Sequence, residues 1–127
     1  MSDYKLHILV VEDELPLRLL LANLLERSGY TVFHAASGVE ALNVWRQHKD
    51  KIRLVLTDIV MPGGITGRQL AEQLLAEKSD LKVLYSSGYS EGVIGKGLSL
   101  VEGANFLQKP FNLPKLGHII RSLLDAK

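Results

Sequence analysis

Cysteine is absent from the 127-residue chain, which removes disulfides and thiolate metal sites and fits a reducing compartment. No excess of one charge is present either. Lys and Arg total 15 against 14 Asp and Glu, and no basic run or aromatic-interleaved basic stretch argues for nucleic acid. The longest apolar stretches fall far short of the roughly 20 residues that a membrane span needs. Met1 to Lys5 lacks the apolar core of a secretion signal. Linkers, repeats and low-complexity segments are also missing. What remains is 46% hydrophobic, enough for one core in a soluble, cytoplasmic domain spanning residues 1–127.

Short apolar runs alternate with segments of helical period. His7 to Val11 reads as a first strand ending in two acids. Leu17, Leu20, Leu21, Leu24 and Leu25 recur on one face of a helix, with Pro16 in its first turn and Gly29 at its end. Thr31 to Ala35 is a second strand. Ser37 and Glu40 have capping-box spacing before a helix carrying Leu42, Val44 and Trp45. Leu54 to Thr57 is a third strand running into Asp58. Thr66 and Gln69 cap a third helix with Leu70, Leu74 and Leu75. Val83 to Ser86 and Asn105 to Gln108 are the fourth and fifth strands. Asn112 and Pro114 open a last helix bearing Leu116, Ile119, Ile120, Leu123 and Leu124. Between Gly88 and Gly103, Gly92, Gly95 and Gly97 each cost about 1 kcal/mol relative to Ala in a helix, so a fourth helix there should be short or mobile. This βα alternation implies a parallel sheet covered on both faces. In such folds the ligand site lies at the carboxyl ends of the strands.

That rule brings Glu12, Asp13, Asp58, Ser86, Ser87 and Lys109 to one edge. Two carboxylates about 5 Å apart repel by on the order of 3 kcal/mol at an effective dielectric of about 20. Three therefore call for a cation, and oxygen donors alone favour a hard ion such as Mg²⁺. A carboxylate can attack phosphorus to form an acyl phosphate. A cation, a lysine and a hydroxyl would offset charge on the transferring phosphoryl oxygens.

The acid pair, Thr57-Asp58-Ile59-Val60-Met61-Pro62, Ser87-Gly88 and Phe106-Leu107-Gln108-Lys109-Pro110-Phe111 together resemble the receiver domain of two-component response regulators. The resemblance covers essentially the whole chain. It implies a flavodoxin-like (βα)5 three-layer sandwich, with a five-stranded parallel sheet in the order 2-1-3-4-5. It also implies that Asp58 accepts a phosphoryl group from a histidine kinase or histidine phosphotransfer protein. Asp13 and Asp58 would bind Mg²⁺, Glu12 would help through a metal-bound water, and the Val60 carbonyl would be a further ligand. Ser87 is then the switch hydroxyl and Lys109 the phosphate-pairing lysine. Phe106 becomes the aromatic that turns inward with the switch, and Lys109–Pro110 a cis bond. The fourth helical segment, fifth strand and fifth helix would form the face that changes its affinity for a downstream protein. Val60 and Tyr89 would flank the path of a hydrolytic water, and neither suits a general base, so the phosphoryl group should be lost slowly. The Met61-Pro62-Gly63-Gly64-Ile65-Thr66-Gly67 loop is longer and richer in glycine than the family pattern. With Ser87-Gly88-Tyr89 it looks most like receivers of hybrid sensor kinases.

Blander readings compete. Asp58 could cap a turn, Glu12 and Asp13 could serve only the first helix, and Phe106 could be plain core. The four histidines read as structural or surface residues and Trp45 as packing. Gly95-Lys96 lacks the glycine and hydroxyl of a phosphate-binding loop, and Gly63 to Gly67 is no dinucleotide fingerprint. A phosphohydrolase of the haloacid-dehalogenase type would need an acid where Val60 stands. A degenerate receiver would lack site residues that are present here. The expectation is a signalling module rather than a turnover enzyme.

Overall fold

The computed structural model describes residues 6–61, 64–88, 100–101 and 103–126. In chain order these form β1 (His7–Val11), α1 (Leu15–Arg27), β2 (Thr31–Ala35), α2 (Gly38–His48), β3 (Ile52–Asp58), α3 (Gly67–Glu77), β4 (Lys82–Ser87), β5 (Phe106–Gln108) and a fourth described helix, α4 (Leu113–Asp125). Most of the stretch expected to hold a short or mobile helix, together with Tyr89, lies outside the described residues. The five strands make one parallel sheet in the order β2-β1-β3-β4-β5.

Alternation along buried strands sorts the core to two faces. Ile8, Val10, Leu54, Leu56 and Leu84 pack with Leu21, Leu25, Leu116, Ile119 and Ile120 of α1 and α4. Leu9, Val11 and Val55 pack with Ala41, Trp45, Leu70 and Leu74 of α2 and α3. Ile52 joins this second face although it stands three residues before Val55. A register shift between His7 and Ile8 against β3 takes up the extra residue, and Arg53 points out to solvent.

The helix ends follow local chemistry, with two departures from expectation. Thr66 and Gln69 form a complete capping box, and Asn112 accepts from the Lys115 N–H. At α2 the box is only half made: Ser37 accepts from Glu40 N–H, but the Glu40 carboxylate takes the Ala36 N–H instead. On α1 the buried face centres on Leu21, Ala22 and Leu25. Leu20 lies about 100° around the helix from Leu21 and is 48% exposed. The five-leucine pattern therefore overstates the buried stripe by one residue. Gly29 does end α1 with a positive φ of 100°.

Candidate functional site

Each strand except β2 delivers a polar residue to the same edge. Asp58 and Ser87 are the last residues of β3 and β4. The Ile59 N–H donates to the Ser86 carbonyl at 2.9 Å and the Lys109 N–H to the Ser87 carbonyl at 2.8 Å, so the strand ends stay laced together. The Lys109–Pro110 bond is cis. α3 begins close behind Asp58, where Gly67 N–H donates to the Ile59 carbonyl at 2.9 Å. A Cβ at Gly67 would overlap the carbonyl oxygen of Asp58 and come within 2.8 Å of its carbon. Glycine at 67 is a condition of this approach.

Carboxylate oxygens of Glu12, Asp13 and Asp58 all lie within 4.8 Å of one another. Glu12 and Asp58 are buried, whereas Asp13 is exposed. Lys109 Nζ stands 2.8 Å from Glu12 Oε1 and 3.0 Å from Asp58 Oδ2. Burial pushes both carboxyls above their ordinary values, and pairing with Lys109 offsets this only in part. The Val60 N–H also bonds to Asp58 and pulls in the lowering direction. Burial alone would lower Lys109, but its two hydrogen-bonded acids outweigh that and raise it. The partners differ because one partly exposed lysine serves two more deeply buried acids. All-oxygen donors, close enough to repel and in excess over the one lysine between them, fit a hard divalent cation.

Ser86 and Ser87 are both buried. Phe106, expected to turn inward on switching, is already inside at 1% exposure, packed with Ile59, Ala71 and Tyr85. Burial raises the Tyr85 hydroxyl first, and Glu72 adds to it. Val60 is 50% exposed; Pro62 and Gly63 of the unusual loop lie outside the described residues. Two participants were missed in the sequence. The Glu14 carboxylate lies 3.9 Å from Lys109, and Arg18 donates to the Glu12 carbonyl at 2.9 Å. An acid triplet followed by a cation one helical turn later was the available signal.

The histidines are indeed structural or at the surface. His48 and His7 stack on Phe33 with ring centroids 4.1 and 5.8 Å away, and His34 accepts from Arg18 at 3.2 Å. Trp45 is fully buried, its indole N–H donating to Glu77 at 3.1 Å. Among the described residues, no helix is long and apolar enough to cross a membrane.

The family model described as the response regulator receiver domain matches residues 8–121. The chain belongs to the response regulator receiver domain family. Such receivers are modules of two-component signalling and not turnover enzymes. This receiver is 34% identical to the response regulator receiver protein CpdR of Brucella abortus, over 94% of this chain and 97% of that protein. It is 36% identical to the sensor kinase CckA of the same organism, again over 94% of this chain but only 13% of the kinase. Against aerobic respiration control protein ArcA of Escherichia coli, the identity is 37% and the receiver spans 48% of that protein. Among solved structures, the response regulator protein TrrA of Thermotoga maritima, in complex with Mg²⁺-BeF, superimposes with a TM-score of 0.77 at 31% identity. That match covers 94% of this chain and 99% of TrrA.

Proposed function

We propose that residues 1–127 act as a phosphoacceptor receiver in which Asp58 takes a phosphoryl group from a phosphohistidine. The donor is a histidine kinase or histidine phosphotransfer protein. The observation that carries this reading is the shared grip of Lys109 on Asp58 and Glu12, beside a third carboxylate. In this reading the ionised Asp58 carboxylate would be the nucleophile, and Lys109, 3.0 Å away, would supply a cation for the arriving phosphoryl charge. That TrrA is in complex with Mg²⁺-BeF supports the same assignment here.

In the transfer, an Asp58 carboxylate oxygen forms the new P–O bond. The P–N bond to the donor imidazole breaks with its electron pair returning to that nitrogen, and the imidazole, protonated from solvent on its other ring nitrogen, leaves neutral. Asp13 and Asp58 would hold Mg²⁺, with Glu12 reached through a water and the Val60 carbonyl as a further ligand; bound there, the ion would offset charge on the phosphoryl oxygens. Lys109 would pair with one phosphoryl oxygen and the Ser87 hydroxyl would donate to another. A phosphoryl group held by Ser87 would then fix Phe106 in its inward place and shift the affinity of the face beside β5 and α4 for a downstream protein. An apolar cleft of about 540 Å³ lined by Pro16, Leu17, Leu20, Phe111 and Leu113 opens beside Lys109, a suitable seat for the donor.

The test is phosphorylation by acetyl phosphate, or beryllofluoride binding, with and without Mg²⁺. Wild type should be modified only with Mg²⁺ and Asp58→Asn not at all. Equal modification of both proteins would exclude Asp58 as the acceptor.

A further inference from the structure

All four polar atoms of Glu12 are engaged. Its N–H donates to the Ala35 carbonyl at 3.0 Å, Oε1 meets Lys109 at 2.8 Å, and Oε2 accepts from the Glu14 N–H at 3.0 Å. The fourth, the carbonyl oxygen, accepts from the guanidinium of Arg18 at 2.9 Å. Arg18 sits in the first turn of α1, half-buried, and its own N–H bonds to the Glu14 carbonyl at 2.9 Å. Its remaining fork is not idle: Nε donates to His34 Nδ1 at 3.2 Å. His34 lies on β2, paired in register with Val10 of β1. One planar side chain thus straps the carboxyl end of β1 to the neighbouring strand.

The Glu12 carbonyl belongs to the peptide bond that leads into Asp13. Asp13 is exposed, so the aim of its carboxylate toward Glu12 and Asp58 is set largely by its own backbone. Arg18 holds that backbone at the Glu12 carbonyl oxygen. A lysine could reach the carbonyl but could not also serve His34, because a single ammonium has no second arm at a fixed angle.

We propose that Arg18 is a positioning residue for the metal-binding acids, locking the Glu12–Asp13 peptide, with His34 holding the guanidinium in place. This rests on the reading of the acids as a Mg²⁺ site. Position and charge predict opposite signs. A cation beside three carboxylates competes with Mg²⁺, so loss of its charge alone would tighten metal binding. Loss of a positioning contact loosens it, by about 10-fold or more where groups that orient ligands are removed.

The experiment titrates Mg²⁺ into wild type, Arg18→Met, Arg18→Lys, His34→Leu and the Arg18→Met/His34→Leu pair. Binding is read by calorimetry and by the amide shift of Asp13, and the unfolding midpoint of each metal-free protein is measured alongside. Arg18→Met should bind Mg²⁺ about 10-fold more weakly, and Arg18→Lys should recover part of the loss. His34→Leu should weaken binding severalfold in wild type and have no further effect once Arg18 is gone. Equal or tighter binding by Arg18→Met overturns the proposal, as does an undiminished effect of His34→Leu in the Arg18→Met background. The exposed His34 position keeps the test open if Arg18→Met does not fold. A wild type that binds no Mg²⁺ fails the metal reading itself, which separates the two failures.

Discussion

Lys109 Nζ and Asp58 Oδ2 lie 3.0 Å apart with only 17% and 8% of their side chains exposed. The same ammonium is 2.8 Å from Glu12, itself 2% exposed. The dependence is lopsided. Asp58 can be removed and Lys109 keeps a partner, but removing Lys109 strands two buried carboxylates.

Lys109→Met should therefore be among the most damaging polar substitutions. Breaking a buried pair from one side costs about 3–5 kcal/mol, and here two acids lose their partner. Urea unfolding without metal reports the loss. Added Mg²⁺ should restore part of it, through RT ln(1 + [L]/Kd). A loss below about 1 kcal/mol, the range of exposed ion pairs, would show that water already screens the site.

Asp58→Asn should behave in the opposite way. Asp58 is raised above its ordinary value of 3.8, mainly by burial, with Lys109 pulling it back and Asp13 adding to the rise. A carboxyl with a raised folded pKa contributes stability that is fully present below the unfolded pKa and lost as pH rises through the folded one. At pH 8 wild type carries that penalty and Asp58→Asn does not, so the variant should be the more stable of the two without metal. The gap should close as pH falls through the raised pKa. Thermal melts of both proteins from pH 8 to pH 4 give the difference, and a gap that widens toward acid would reverse the assigned sign.

Much of this was legible in the chain because β/α folds write their site at strand ends. Asp58 and Lys109 could be placed by counting from apolar runs whose length marks a buried parallel strand. The sheet order came only through family likeness, since periodicity does not say which strands are neighbours. Arg18 escaped because its role depends on β2 lying beside β1 and bringing His34 within reach. Leu20 was misjudged because a leucine-rich helix has a wider apolar arc than the core covers. Phe106 reads as core sooner than as switch on composition alone. The switch role comes only through family likeness, and packing against Tyr85 and Ile59 shows where the ring rests.

Gly67→Ala tests how tightly α3 is joined to the site. The added methyl would meet the Asp58 carbonyl, which cannot swing away because it belongs to the β3 ladder end. Overpacking of this kind costs about 1–3 kcal/mol, and a rigid backbone obstacle argues for the upper part of that range. Mg²⁺ affinity should fall together with the unfolding free energy, because the displaced atoms belong to Asp58. Gly64→Ala provides the contrast. Gly64 has a φ of +91° and open space around its Cβ position, so its cost is backbone strain of about 1–2 kcal/mol with Mg²⁺ affinity retained. Equal effects of the two substitutions on metal binding would refute a specific link between Gly67 and Asp58.

The lifetime of phosphorylated Asp58 is expected to be long and to depend on Val60. Val60 follows the acceptor by two positions, and its half-exposed side chain flanks the approach of an attacking water in the receiver reading. An isopropyl group can neither orient that water nor take its proton, so general-base help worth about 10²–10⁴-fold is forgone. An amide at this position could hold the water by one hydrogen bond. Such a bond has a net worth of about 0.5–1.5 kcal/mol, which corresponds to up to about a tenfold change in rate. Val60→Asn should accordingly shorten the life of the phosphorylated protein by severalfold, leaving the Mg²⁺ requirement unchanged because the proposed ligand at 60 is the backbone carbonyl. Decay is followed by loss of label from purified phosphoprotein in excess Mg²⁺. If Val60→Asn decays no faster than wild type, water access at this position does not limit hydrolysis.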